Sequence, residues 1–192
     1  MTPTITLSGP LPAGTYTLSP VGVVVTSPPP PPSSGVWWLY NDGVDAAGEL
    51  DYDYGSGSVT YDVADPLVAG GKCIAVKGDE GWQPRMPNDN FNTAGYTFLL
   101  LSVYPTTQDY AGTVGAEMIG DKPIPGSTGM INFMQYGPNP PVINQWNPYK
   151  IPLSAMSFPA AGIDIYKLGV LDQNPNKTGD VVYYKAVGFS PT

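Results

Sequence analysis

In Ser58-Val-Thr-Tyr-Asp-Val63 apolar and polar positions alternate with a period of two. That pattern puts Val59, Tyr61 and Val63 on the buried face of a strand and Ser58, Thr60 and Asp62 on a wet one. β-prone segments recur between turn residues over Val36 to Tyr40, Lys72 to Lys77, Tyr96 to Tyr104, Val114 to Ile119, Met130 to Tyr136, Tyr149 to Leu153, Ile163 to Leu171 and Val181 to Phe189. Tyr96 to Tyr104 is apolar on both faces, which predicts a central strand covered on each side. No stretch keeps a period of 3.6 residues. Eight or nine short strands divided by Gly, Pro, Asn and Asp predict an all-β fold, an antiparallel jelly-roll sandwich.

Ahead of this pattern the chain obeys other rules. No side chain from Met1 to Asn41 is charged, and the prolines Pro28 to Pro32 form an unbroken run. Such a run fixes φ, removes backbone donors and adopts polyproline II, a stiff spacer of roughly 15 Å. Before it, β-prone pieces at Ile5 to Leu7, Thr15 to Leu18 and Val21 to Thr26 are separated by Gly and Pro. Three short strands bury too little apolar surface to offset their ordering entropy, so they need something to lie on. The expected organisation is an anchoring arm over residues 1–27, a linker over 28–35 and a jelly-roll domain over 36–192. With no charge to keep its edges solvated, the arm is expected to be the main assembly element, docking on other proteins.

Charge narrows the partners. Sixteen carboxylates against eight basic residues give a formal net charge of −8. This balance disfavours phosphate backbones and anionic lipid, both of which need clustered Lys and Arg. The longest apolar runs fall far short of the ~20 residues that span a bilayer. The N-terminus has no basic region and no continuous apolar core, so it does not read as a signal peptide. Cys73 is the single cysteine, and in Lys72-Cys-Ile-Ala-Val-Lys77 it reads as a buried, inert strand residue. Histidine is absent altogether, which removes the commonest general base, the usual zinc ligand and every Ser-His or Cys-His arrangement. Neither catalytic residues nor a metal or cofactor is expected.

Three stretches together resemble the carbohydrate-binding-module type of β-jelly roll, the galactose-binding-like sandwich. They are Asn92 to Tyr104, Gln145-Trp-Asn-Pro-Tyr-Lys-Ile-Pro-Leu-Ser154 and Val181 to Phe189. The resemblance covers roughly residues 36–190, and its most specific element is the tryptophan leading into Ile-Pro-Leu-Ser. It implies a last strand that returns beside the first, a Trp146 packed in the core, and a non-catalytic binding role. Many relatives carry paired acidic residues on the last strand that help hold a structural calcium. This chain has Lys185 and Ala186 there, so the resemblance does not carry a calcium site over.

Sugar recognition of that kind stacks aromatic rings against the apolar faces of pyranoses and adds a few polar groups for hydroxyls. Trp82 lies among turn formers, three residues from the Arg85 guanidinium, and reads either as a ligand platform or as an anchor plugging the sandwich end. Trp82 and Arg85 are the first ligand candidates, and Tyr104 and Tyr136 the next. Of Trp37 and Trp38, one must face each side of its strand. The acidic residues Asp42, Asp45, Glu49, Asp51 and Asp53 read as a solvated loop rather than a calcium site.

A chain without a signal peptide, yet with the Gly, Pro, Thr and Tyr-rich look of an exported β protein, fits a bacteriophage virion component released by lysis. Arm, spacer and jelly roll then serve as anchor, stalk and head, as in capsid decoration or head-fibre proteins. The expected function is a non-enzymatic structural protein of the virion surface. Its partners would be other virion proteins through the arm, cell-surface glycans through the head, and further copies of itself. The alternative is a secreted, extracellular carbohydrate-binding module of a polysaccharide-degrading system.

Overall fold

The computed structural model describes residues 16–19, 22–25, 35–43, 53–54, 59–77, 81–86, 90–120, 122–127, 129–172 and 180–192. The chain divides into two compact units, Met1–Pro31 and Pro32–Thr192. In the first, β1 (Tyr16–Ser19) and β2 (Gly22–Val25) form an antiparallel pair with Tyr16 opposite Val25. The expected piece at Ile5 to Leu7 and the proline run lie outside the described residues.

The second unit is an antiparallel β-sandwich. Its front sheet holds β3 (Trp37–Tyr40), β5 (Val59–Ala64), β6 (Lys72–Lys77), β9 (Phe98–Pro105), β13 (Asn147–Pro152) and β16 (Val181–Ser190). Their order is β13-β9-β16-β6-β5, with β3 also on β16. The back sheet holds β4 (Asp53–Tyr54), β7 (Gly81–Trp82), β10 (Gly112–Met118), β11 (Lys122–Pro123), β12 (Ile131–Asn132) and β15 (Lys167–Asp172), in the order β11-β10-β15-β7-β4 with β12 beside β10. A separate pair joins β8 (Phe91–Asn92) to β14 (Asp164–Ile165). From β6 onward the long connections carry successive strands from one sheet to the other, which is the jelly-roll path.

Alternation puts Leu99, Leu101 and Val103 of β9 and Val114, Leu168 and Val170 of the back sheet into the space between the sheets, all essentially inaccessible. Each such side chain contributes roughly 1.5–3 kcal/mol by leaving water. In β5 the pattern holds: Val59, Tyr61 and Val63 are half-buried while Thr60 and Asp62 are exposed. Strand β16 is shared along one edge. Its first half, Val181 to Tyr184, pairs with β6 and its last part, Val187 to Phe189, with β3, while β9 runs along the other side. A bulge between Lys185 and Gly188, with Ala186 at φ 50°, separates the two halves.

Three expectations need correction. Strand β9 is central, but on its outer face Phe98, Leu100 and Ser102 are only half-buried, so just its core side is fully covered. The strand expected over Met130 to Tyr136 is two residues long. Asn132 Oδ1 accepts from Met134 N–H at 2.9 Å, turning the chain into a 3-10 helix over Met134–Tyr136. The segment Ile163 to Leu171 breaks at Tyr166, whose N–H donates to Glu117 O, so β14 and β15 join different sheets.

Candidate functional site

The residues singled out in the sequence do not converge. In β7, Trp82 stands opposite Val170 and its indole points into the core, where it is wholly buried. Its Nε1–H donates to Tyr61 Oη at 3.0 Å, and its ring stacks on Tyr184 with centroids 6.2 Å apart. The ligand-platform role for Trp82 is therefore overturned, because no ring face reaches solvent. Arg85 lies three residues on and on the outer face of the back sheet, its guanidinium 5.4 Å from the Tyr166 ring centroid. An odd offset along an extended chain separates the two side chains across the sheet.

Tyr104 lies on the outer face of the front sheet, only 7% exposed, with Trp146 and Tyr183 edge-on at 5.5 and 5.7 Å. Walled in this way, it offers little surface to a ligand. Tyr136 is half-buried at the end of its 3-10 turn and lines a pocket of about 330 Å³ on that same outer face. With Tyr136, the pocket is walled by Trp38 and floored by Leu100 and Ser102, and Pro148, Lys150 and Ala186 are among its other lining residues.

Strand register builds this pocket. Lys150 stands opposite Leu100, Leu100 opposite Gly188, and Gly188 opposite Trp38. A Cβ on Gly188 would strike the Trp37 carbonyl oxygen and the Trp38 ring, so glycine is what lets the indole lie down on the sheet. The neighbouring Trp37 turns inward against Phe91 and Phe189, at 4.2 and 6.1 Å, which leaves the outer side to Trp38 as the alternation requires. Lys150 Nζ sits 4.2 Å from the Phe98 ring centroid, which holds the ammonium at the rim.

Chemically, the pocket offers the Trp38 and Tyr136 rings, an aliphatic floor, the Ser102 and Tyr136 hydroxyls and the Lys150 ammonium. Rings of this kind stack on the C–H face of a pyranose, and Ser102, Lys150 and the Tyr136 hydroxyl are of the right type to pair with its hydroxyls. Its volume lies at the lower end of ligand pockets. No carboxylate is among its described lining residues.

A polar network that sequence reading missed supports this face. The Asp65 carboxylate is 1% exposed and accepts from Leu67 N–H at 2.8 Å, Val68 N–H at 3.1 Å, Trp146 Nε1–H at 3.1 Å and Lys185 Nζ at 2.5 Å. Lys185 Nζ also lies 4.2 Å from the Trp146 ring, and Lys185 stands opposite Ser102 of the pocket floor. Burial by itself would push the Asp65 carboxyl up, but the Lys185 ammonium and the Leu67, Trp146 and Val68 donors outweigh it and hold the group below the usual carboxylate range. Trp146 is thus half-buried on the outer face rather than packed in the core, drawn there by a buried acceptor. At the position where the resemblance would put acidic residues, the chain supplies its own cation.

Of the acidic segment, Asp42 is exposed at φ 57° and its Oδ1 accepts from Lys72 N–H. Asp45, Glu49 and Asp51 lie outside the described residues, as does the Asp53 side chain. Among the described residues no three potential metal ligands gather.

No protein-family model matches the chain, and no curated protein matches it by sequence. Among solved structures, the fold is similar to part of a β-1,2-glucanase from Parabacteroides distasonis, with a TM-score of 0.53 and 13% identity. The match covers 84% of this chain but 26% of the glucanase, so the chain spans about a quarter of that enzyme's length. At this identity the likeness is one of fold, an all-β sandwich.

Proposed function

We propose that the second unit is a non-catalytic carbohydrate-binding head, and that the chain is a structural surface protein of the virion type held through its N-terminal arm. The observation that carries the binding role is the Trp38 and Tyr136 pocket, an open aromatic site with hydrogen-bonding groups and no carboxylate in its described lining. Support for the anchoring role comes from the charge-free sequence up to Asn41, which carries apolar β pieces and no charges to block edge pairing. Stacking on one or two rings contributes on the order of 1 kcal/mol each beyond area burial, so a single head binds weakly and an array of heads binds by multivalency.

The test is a glycan array probed with full-length protein and with Trp38→Ala and Tyr136→Ala variants. It includes β-1,2-gluco-oligosaccharides, because the glucanase of similar fold acts on that linkage. Binding that both substitutions abolish supports the head; binding unchanged by either moves the site, and silence across the array leaves a purely structural head. Deleting residues 1–27 tests the arm separately, since normal incorporation into particles without it would sink the anchoring role.

A further inference from the structure

The outer face of the back sheet carries a second pocket, built from side chains that the Trp38 site does not use. Its floor is a glycine pair, Gly115 of β10 directly opposite Gly169 of β15. In the next row of the same face Glu117 stands opposite Lys167, which in turn bridges to Arg85. A Cβ on Gly115 would strike Met130 Sδ, so the missing side chains leave room for the thioether to fold over the sheet. The result is a hollow of about 100 Å³ whose polar lining is Gln83, Glu117, Ser127 and Lys167, with Met130 as its main apolar wall. That volume exceeds the roughly 10–15 Å³ a single water needs, so it accepts several hydroxyl-sized groups.

Hydrogen bonding on this face is incomplete. Among the described residues, the buried side-chain polar atoms without a hydrogen-bond partner are Arg85 Nε, Thr113 Oγ1 and Glu117 Oε2. Arg85 and Glu117 belong to the second row just described, and Thr113 lies two residues before Gly115 on the same side of β10. Lys167 Nζ is 3.0 Å from Glu117 Oε2, yet the approach is not that of an aligned hydrogen bond, so the pair is ionic and Oε2 still lacks a donor. A hydroxyl that donates to Glu117 Oε2 supplies the aligned hydrogen bond that the ion pair leaves unmade.

The chemistry of the lining selects the ligand class. A carboxylate accepts, an ammonium donates, and an amide and a hydroxyl do both. Adjacent hydroxyls of a polyol match this set: one donates to Glu117 Oε2 while its neighbour accepts from Lys167 Nζ, with C–H groups against Met130. An anion would meet Glu117 in a chain of net charge −8, a cation would meet Lys167, and an apolar ligand would strip water from the ion pair without replacing it. We infer that the back sheet carries a second subsite, free of aromatic rings, for a neutral vicinal diol such as a sugar presents. This rests on the carbohydrate-binding reading and extends it. With one pocket on each outer face of the sandwich, a single head bridges two glycan chains rather than gripping one.

The Met130 methyl group lies in the pocket and reports on it. Full-length protein labelled at its methionine methyls, with the Met130 resonance assigned through Met130→Leu, is titrated with D-glucose, D-galactose, β-1,2-gluco-oligosaccharides and sodium acetate. The expected result is a saturable Met130 shift with a sugar, unchanged in a Trp38→Ala and Tyr136→Ala double variant, and at least tenfold weaker in Glu117→Ala. Gly169→Ala serves as the second variant. Its Cβ meets only ordinary contacts at 3.8 Å, so it fills the floor without disturbing the fold and is expected to weaken the shift equally. Sugar binding at Trp38 with a silent Met130 overturns the second subsite and leaves the proposed function standing. A Met130 response with no effect of Trp38→Ala on any binding overturns the front site instead, and a shift produced by acetate alone overturns the diol assignment.

Discussion

Asp65 and Lys185 are 120 residues apart in the chain, and their side chains meet at 2.5 Å beneath the Trp146 ring. The contact ties the loop after β5 to the middle of β16 and fixes Trp146 beside Tyr104. Because the carboxyl is held below its ordinary range in the folded state, its contribution is fully present above the unfolded carboxylate pKa of about 3.9. It is lost as pH falls through the lower folded value. Urea midpoints measured between about pH 7 and pH 2 should therefore decline more steeply for the wild type than for Asp65→Asn, and the two curves should converge at the acid end. At neutral pH, Lys185→Met leaves the carboxylate buried without its counter-charge and is expected to cost about 3 kcal/mol or more.

Trp82 and Trp38 should exchange the effects that exposure of tryptophan usually suggests. Trp82→Ala removes a wholly buried ring and the Tyr61 hydrogen bond, so it should destabilise the second unit by about 3–5 kcal/mol. Trp38→Ala on the half-buried outer side should cost far less in thermal melts and far more in sugar binding, at least tenfold. Equal losses of stability in the two variants would remove the distinction between core and pocket.

Cys73 is wholly buried, and burial together with the nearby Asp65 charge pushes its thiol up to about 11. A disulfide reagent at neutral pH should leave the folded protein unmodified and react fully in denaturant. Rapid labelling of the native protein would show that β6 opens.

Gly188→Ala is expected to destabilise by about 1–3 kcal/mol, since its methyl meets the Trp37 carbonyl and the Trp38 ring. The same methyl lifts the indole off the sheet. Sugar affinity should fall with it even under conditions where melting shows the protein fully folded.

Val59–Ala64 was legible because it holds its alternation over six residues, and Lys72–Lys77 because a short apolar run is bounded by a lysine at each end. Two-residue strands such as Gly81–Trp82 carry no period, and Gly, Pro and Asp around Trp82 gave it the look of a loop residue. The pocket was legible only in part: Tyr136 was singled out, and alternation required one of Trp37 and Trp38 to face outward. Gly188 became meaningful only once register put it opposite Trp38. Nothing near Asp65 in sequence announces Lys185 or Trp146, since a buried carboxylate takes its donors from wherever the fold delivers them. Double-sided apolarity in β9 signalled burial on both faces, whereas its outer face lines a surface pocket.

The sharing of β16 between β3, β6 and β9 also has a kinetic meaning. Trp37 meets Phe189 across nearly the whole length of the second unit, so the front sheet closes on one of the longest-range pairings the unit contains. Closing so large a loop costs entropy before any contact rewards it, which places folding in the slow, millisecond-to-second class of β-proteins. Once formed, the same pairing clamps the first strand of the unit to the last. The first strand is thereby held against one that β9 flanks along its other side, so it cannot be released without opening the middle of the sheet.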